Sequence, residues 1–195
     1  MKFQSDIDID FGDRKQILDR IDHVPASIVR NGELIKHNSG IYVTAVPVDP
    51  ITGQCGLDYQ AADERGYVKL DFLNVSLYNQ IKNEDHLLSL MNTEPAWDKL
   101  YEREFFEKLI HVGAHYDTLI RMPEAVNTIP RLAMFLAVIR PAKRHLIGKT
   151  WQEVAKTVWE RPNDGSYYFK KSHSVSYAHL VVINMNLLSQ ASAQE

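Results

Sequence analysis

Three aspartates alternate with apolar residues near the start of the chain, in the stretch Ser5–Phe11. Strict alternation is typical of a β-strand, whose side chains point to opposite faces in turn. Asp6, Asp8 and Asp10 should therefore share one face. Carboxylates so close repel one another unless water surrounds them, as on an edge strand, or cations neutralise them. Mg²⁺ prefers oxygen ligands and often binds through one or two carboxylates together with substrate phosphates.

A second alternating stretch, Gly66–Leu73, contains a lysine and one further acid. Lys69 and Asp71 lie on the same face of this predicted strand. If the strand neighbours the first one in a sheet, Asp71 joins Asp8 and Asp10. Three carboxylates arranged in this way can hold two divalent ions about 3.5–4 Å apart, as polymerases and nucleases do.

The composition is that of an ordinary soluble globular protein. The chain has 195 residues, of which 45% are hydrophobic and 24% charged, with a formal net charge of −3. This length predicts one domain or two small ones. The net charge provides no overall attraction to nucleic acid, so any basic surface must be local. The single cysteine, Cys55, excludes an internal disulfide and indicates a reducing compartment.

The sequence predicts an α+β fold with two parts. Over residues 1–74 a small mixed sheet is expected, with a short helix that Asp13 caps and that ends before Pro25. Residues 26–40 are polar and rich in turn formers, and a strand is predicted over residues 41–46. From residue 75 to residue 195 the apolar residues recur at helical spacing. Helices are predicted over residues 97–112, 132–139, 150–160, where Thr150 and Glu153 form a capping box, and 173–188.

Basic residues are concentrated at two places in the helical part. The two groups are Arg140, Lys143, Arg144, His145 and Lys149, and then Lys170, Lys171 and His173. The start of a helix suits phosphate, because its free N–H groups and its dipole add to the side-chain charge. Lys171, Ser172 and His173 begin the last predicted helix and are therefore the stronger candidates. The alternative for both groups is an ordinary solvated surface.

Five segments resemble, in the same order along the chain, motifs of the C-family bacterial replicative DNA polymerases, the α subunit of DNA polymerase III. Ser5–Phe11 is similar to the family's catalytic aspartate motif, and Gly66–Asn74 to its Val-Lys-apolar-Asp-Phe-Leu-Gly strand. The segments that resemble its His-Ala-Gly-Gly, Arg-Pro-Gly-Pro and Phe-Asn-Lys-Ser-His motifs are His37–Val43, Leu136–Pro141 and Tyr168–Ala178.

The resemblance implies a nucleotidyltransferase with a palm-type sheet in residues 1–74 and an abbreviated fingers region in residues 75–195. It implies template-directed addition of dNTPs to a primer 3′-hydroxyl, with two Mg²⁺ ions, or Mn²⁺ in their place. The catalytic metal ligands would be Asp8, Asp10 and Asp71. The residues that contact the incoming nucleotide would be Lys69, Arg140, Lys171, Ser172 and His173.

The chain departs from the family pattern at Ser5, Asn74, Ala142 and Lys170, where the family has proline, glycine, glycine and asparagine. The family's upstream palm segment and thumb are not found, which favours a compact, phage-like protein that acts with another polymerase or replisome chain on primer-template DNA. Two alternatives remain: a non-catalytic or split polymerase piece, and a metal-dependent phosphodiesterase with the same carboxylates. No signal segment and no apolar run of membrane length is seen, so a cytoplasmic location is expected, in the host if the protein is viral.

Overall fold

The two aspartate-bearing stretches form neighbouring strands in the computed structural model, which describes residues 7–164 and 166–192. The described sheet consists of β1 (Ile7–Phe11), β2 (Val24–Arg30), β3 (Glu33–Tyr42) and β4 (Leu70–Asn74). Its strand order is β1-β4-β3-β2, with β1 parallel to β4 and the other two pairs antiparallel. The fold is therefore mixed α+β with a small mixed sheet, as predicted. Ser5 and Asp6 of the first motif lie outside the described residues.

Strands β2 and β3 form a hairpin that the sequence analysis missed. Asn31 and Gly32 connect them, with φ angles of 52° and 81°. A two-residue turn with both φ values positive matches the twist of a hairpin, and Asn-Gly is the preferred pair for it. The prediction of an irregular segment over residues 26–40 was therefore wrong. Pro25 lies within β2 and does not mark the end of a helix.

The α-helices described in the first part of the chain are short. Helix α1 (Arg14–Leu18) begins after Asp13, whose side chain accepts a hydrogen bond of 2.9 Å from the Lys15 amide, as predicted for a cap. Helix α2 (Tyr59–Glu64) begins in the same way after Asp58. A small core lies beneath the hairpin, and its fully buried residues are Ala26, Tyr42, Cys55 and Ala62.

The later part of the chain is helical. Its helices are α3 (Glu84–Asn92), α4 (Arg103–Phe106), α5 (Tyr116–Leu119), α6 (Ile129–Val138), α7 (Trp151–Thr157) and α8 (Lys171–Ser192). Helices α6 and α8 pack together around a core that includes Phe106, Phe135, Leu136, Val182 and Met185. The Thr150–Glu153 capping box is confirmed at the start of α7.

The predicted helix over residues 97–112 was wrong in its extent. A 3-10 turn (Trp97–Tyr101) and α4 replace it, because Glu102 between them adopts an extended conformation with φ −88° and ψ 109°. The chain divides into two compact units between Ile81 and Lys82. The first unit thus includes the 3-10 turn Ser76–Gln80 that follows β4. No helix within the described residues is both long enough and apolar enough to cross a membrane.

Candidate metal centre and anion site

The two aspartate strands are in a register that aligns their acids. Asp8 of β1 is the Cα partner of Asp71 of β4, and Asp10 is the partner of Leu73. Paired residues of neighbouring strands point to the same face of a sheet, about 4.8 Å apart across the strands. Asp8, Asp10 and Asp71 therefore belong to one face, which is the arrangement that the alternating sequence predicts.

The β1 part of this carboxylate face is accessible to solvent, and its two carboxylates repel each other. Asp8 is exposed and Asp10 is half-buried. Burial raises the pKa of the Asp10 carboxyl, and the charge of Asp8 raises it further. Burial and the charge of Asp10 likewise raise the pKa of Tyr78, which follows β4. A cation beside Asp8 and Asp10 would relieve this repulsion.

The β4 part of the face is closed, in the sense that the Asp71 carboxylate is buried and both of its oxygens have partners. Asp71 is only 8% exposed. Its Oδ1 accepts a hydrogen bond of 2.6 Å from the Ser39 hydroxyl, and its Oδ2 is ion-paired with the Lys69 ammonium. The Lys69 side chain is itself only 17% exposed, and its ammonium lies 5.7 Å from the centre of the Tyr59 ring. Both oxygens of Asp71 are thus engaged by neighbours from its own unit.

His37 completes the surroundings of Asp71 as a neutral imidazole. Its Nδ1 lies 3.6 Å from Asp71 Oδ1 but accepts hydrogen bonds from the backbone N–H groups of Gly40 (2.9 Å) and Ser39 (3.3 Å). A nitrogen that accepts from two amides carries no proton. Burial lowers the pKa of His37, and the charge of Lys69 lowers it further, against an opposing effect of Asp71. His37 therefore orders the backbone around Ser39 and does not form an ion pair with Asp71.

An irregularity in β3 brings Ser39 to Asp71. Pro25 pairs with Ile41, but Ser27 pairs with Lys36, so β3 carries extra residues between these two positions. Such bulges re-aim side chains and are frequent beside active sites. Simple alternation from Gly40, which pairs with Asp71, would instead place Ser39 on the opposite face. Ser39 and His37 were not predicted as site residues, because residues 26–40 were expected to be irregular and not to form a strand beside Asp71.

The donor set only partly fits a bound divalent ion. Carboxylate oxygens on one face are the ligands that Mg²⁺ and Mn²⁺ prefer. However, among residues 7–164 and 166–192, no three His, Cys, Asp or Glu side chains are grouped so that they could hold a metal ion. Asp8 and Asp10 present oxygens of the right kind. The carboxylate of Asp71 is engaged by Lys69 and Ser39.

A cavity of about 320 Å³ opens at the carboxyl end of β1. Its lining includes Phe11, Gln16, Arg20, Tyr78 and Asn79. Ligands of α/β folds commonly bind outside the carboxyl ends of parallel strands. The cavity lies in the same unit as the carboxylates, next to the residue that follows Asp10, and the sequence analysis did not predict it.

Arg140, in the second unit, lies over an aromatic ring. Its guanidinium lies 3.9 Å from the centre of the Phe169 ring, and Tyr177 packs on the same ring at 5.5 Å. Burial lowers the pKa of Arg140. Its Nε–H is buried and has no hydrogen-bond partner among the described residues. A buried donor without an acceptor often marks the place of a water or an ion.

The Lys-Ser-His segment occupies the start of α8, as predicted. Lys171 and Ser172 are exposed and His173 is half-buried. The next residue, Ser174, is fully buried, and its hydroxyl has no partner among the described residues. The structure therefore places Lys171, Ser172 and His173 on the first turn of a long helix, in the same unit as Arg140.

One predicted basic residue does not belong to a basic surface. Lys143 is only 5% exposed, and its ammonium donates a hydrogen bond of 2.6 Å to the Thr157 carbonyl oxygen. It stabilises the connection between the 3-10 turn Pro141–Leu146 and α7. Arg144 and His145 of the same group are exposed.

These features define a mixed α+β protein with a face of carboxylates in one unit and a basic helix start in the other. No model of a known protein family matches the chain, and no curated protein or solved structure matches it either. The chemistry of the site therefore has to be inferred from its own residues.

Proposed function

We propose that this protein is a metal-dependent nucleotidyltransferase of the C-family DNA polymerase type. In this proposal the first unit is a palm-type domain, the second is a reduced fingers region, and the reaction adds dNTPs to a primer 3′-hydroxyl. The observation that carries it is the register of Asp8 with Asp71, with Asp10 on the same face. Carboxylates from two adjacent strands are the ligand set that two-metal phosphoryl transfer needs.

Each candidate residue has a defined task in this reaction. Asp8, Asp10 and Asp71 would hold two Mg²⁺ ions, or Mn²⁺, which when bound neutralise phosphate charge and favour ionisation of the attacking hydroxyl. The primer 3′-oxygen bonds to the α-phosphorus while the bond to pyrophosphate breaks. Lys69 would contribute its charge to the phosphates once it has left Asp71.

The second unit would contribute the contacts to the triphosphate. The buried Nε–H of Arg140 has no acceptor in the part of the chain that the structure describes, and it could donate to a phosphate oxygen. Lys171, Ser172 and His173 add one full charge and further donors at the start of α8, where the helix dipole favours anions. The proposed partners are primer-template DNA and a second polymerase or replisome chain, in the cytoplasm of the cell.

A non-catalytic role is the second candidate, and the closed state of Asp71 favours it. A buried ion pair with a hydroxyl partner can serve the fold alone. In that case the aspartates of β1 would be a solvated edge, and the chain would act as a polymerase piece that binds other proteins. Asp71→Asn would then lower stability without a matching loss of metal binding.

Primer extension with the full chain tests the proposal. Purified protein is given a labelled primer-template, dNTPs and either Mg²⁺ or Mn²⁺, with Asp8→Asn and Asp10→Asn beside the wild type. Each substitution should lower extension by about 100-fold or more, the size of effect seen when one charge-stabilising group is lost. Asp22→Asn, an exposed aspartate of the same unit, is the matched control. Absence of extension by the wild type with both metals, or activity unchanged in Asp8→Asn, contradicts the proposal.

A further inference from the structure

Two arginines in the described part of the second unit lie over aromatic rings, and their surroundings differ. The Arg103 guanidinium lies 4.4 Å from the centre of the Tyr116 ring, and it also forms ion pairs with Glu107 and Asp117. Hydrogen bonds to Asp117 and Glu107 raise the pKa of Arg103. The charge of Arg103 is therefore compensated by carboxylates of the protein itself.

Arg140 and Phe169 form the second pair, and here a donor is left without a partner. The Arg140 guanidinium lies 3.9 Å from the centre of the Phe169 ring. Its Nε–H is buried and has no hydrogen-bond partner among the described residues, and burial lowers the pKa of Arg140. An anion would supply the acceptor that this group lacks in the described part of the chain, and its charge would offset the cost of burial.

We propose that Phe169 is a positioning residue for Arg140, and that its ring holds the guanidinium in the orientation that binds a phosphate group of the substrate. The inference rests on the proposed function, in which Arg140 contacts the triphosphate, and it adds the residue that orients this contact. Arginine stacks on aromatic faces through its planar guanidinium. The N–H groups lie in that plane, so a ring over the face leaves their directions open for phosphate oxygens.

The Phe169 ring is itself fixed by neighbouring rings. Phe169 is only 6% exposed and belongs to the core of the second unit. The centres of the Tyr177 and Tyr167 rings lie 5.5 Å and 5.9 Å from the centre of its ring. The His111 ring lies 4.2 Å from the Tyr177 ring, and His111 has a φ of 62°, which is uncommon for a residue other than glycine. A ring packed in this way has little freedom to turn, so it is suited to orient a flexible arginine.

Binding of inorganic tripolyphosphate to the full chain, measured by titration calorimetry, tests the inference. Phe169→Leu keeps an apolar side chain but loses the ring, and it should bind about tenfold more weakly than the wild type, as expected for the loss of a partly desolvated cation–π contact. Phe169→Tyr keeps the ring and should bind like the wild type. Phe105→Leu is the matched control, because this half-buried ring of the same unit lies 5.4 Å from the Lys99 ammonium.

Arg140→Lys tests the same contact and leaves the Phe169 ring in place. Lysine keeps the positive charge but has no planar group that can stack on the ring, so tripolyphosphate binding should weaken to a similar extent. Arg103→Lys changes the other arginine that lies over a ring in this unit, and it should bind like the wild type.

A double variant shows whether Phe169 acts through Arg140. Phe169→Leu combined with Arg140→Gln should bind tripolyphosphate no more weakly than Arg140→Gln alone. The inference is overturned if Phe169→Leu binds like the wild type, if Arg140→Lys does so where Phe169→Leu does not fold, or if the effect of Phe169→Leu persists without Arg140. Weaker binding by Arg140→Gln would then leave the proposed triphosphate contact standing. If the wild type does not bind tripolyphosphate, or if Arg140→Gln binds it equally well, the contact and the inference both fail.

Discussion

The Ser39 hydroxyl donates a hydrogen bond of 2.6 Å to Asp71, and the two residues lie 32 positions apart in the chain. The contact joins a bulge in β3 to Asp71, the acidic residue of β4. It depends on the close approach of the two strands at Gly40, which is the pairing partner of Asp71. The region around Asp71 is therefore a tightly packed polar network whose parts can be tested one by one.

Gly40→Ala should disrupt this network. A Cβ at residue 40 would lie 2.8 Å from Lys69 Cδ, 2.9 Å from His37 Nδ1 and 3.0 Å from Ala26 Cβ. Overpacking of this kind should lower the free energy of unfolding by about 1–3 kcal/mol, measured by urea denaturation followed by circular dichroism. Gly56→Ala is the control, because its new Cβ would have only ordinary contacts at 3.8 Å. Equal stabilities of the two variants would show that the bulge has room to spare.

Asp10→Asn should stabilise the protein in metal-free buffer. Burial and the neighbouring Asp8 both act against the charged form of Asp10. Asp10 is only half-buried, so solvent screens much of this effect, and a gain of about 0.5 kcal/mol is expected. Saturating Mn²⁺ should reverse the order, because an ion that binds only the folded wild type stabilises it. Thermal melts with chelator and with Mn²⁺ measure both effects, and a destabilised variant in chelator would contradict the first.

Lys171→Ala should weaken nucleotide binding while leaving the melting temperature unchanged. Lys171 is exposed on the first turn of α8, so its side chain adds little to packing. Loss of one charge-assisted phosphate contact costs about 1.5–3 kcal/mol, which corresponds to a tenfold or larger rise in the Kd for dNTP. Titration calorimetry with dNTP measures the change, and Lys156→Ala on α7 is the matched exposed lysine. A lower melting temperature with intact nucleotide binding would assign Lys171 to the fold alone.

The second unit should lose stability as the pH falls below about 6.5, the ordinary pKa of histidine. Burial lowers the pKa of His111 and of His115, and Arg140 lowers both further. His111 is exposed as a residue, but its ring lies against the Tyr177 ring, with the two centroids 4.2 Å apart, and this contact covers part of the imidazole. The unfolded chain then binds protons before the folded one does, so stability rises with pH across this window and is constant above it.

His111→Gln isolates this contribution. The chain has three tryptophans, at positions 97, 151 and 159, and all belong to the second unit, so their fluorescence reports its unfolding. The variant should lose less stability than the wild type between pH 7.5 and pH 5.5, while a difference at pH 8 reports packing alone. Parallel curves for the two proteins over the whole range would exclude a role for His111 in the pH dependence.

The carboxylate face could be predicted because it follows from local rules. Side chains alternate along a strand whatever surrounds it, so Asp8 and Asp10 share a face as soon as β1 forms. The capping box at Thr150 is equally local, since both of its hydrogen bonds join residues three positions apart. Such patterns need no knowledge of the tertiary structure.

The closed state of Asp71 could not be predicted in the same way. It depends on a break in the pairing of β2 with β3, which shifts Ser39 away from the face that alternation would give it. The burial of Lys143 is a similar case, because the acceptor of its hydrogen bond, the Thr157 carbonyl oxygen, becomes available only when α7 packs beside it. Both outcomes depend on contacts between distant parts of the chain.

The position of β1 at the edge of the sheet gives its aspartates a second consequence. Ile7 and Ile9 are 41% and 36% exposed, and an exposed apolar edge strand is a template for pairing with another copy of itself. The charges of Asp8 and Asp10 oppose that pairing, as gatekeeper residues do in many aggregation-resistant proteins. A divalent ion that neutralises these two carboxylates removes this protection. Concentrated samples should therefore stay monodisperse in chelator and should precipitate when metal is added in excess over nucleotide.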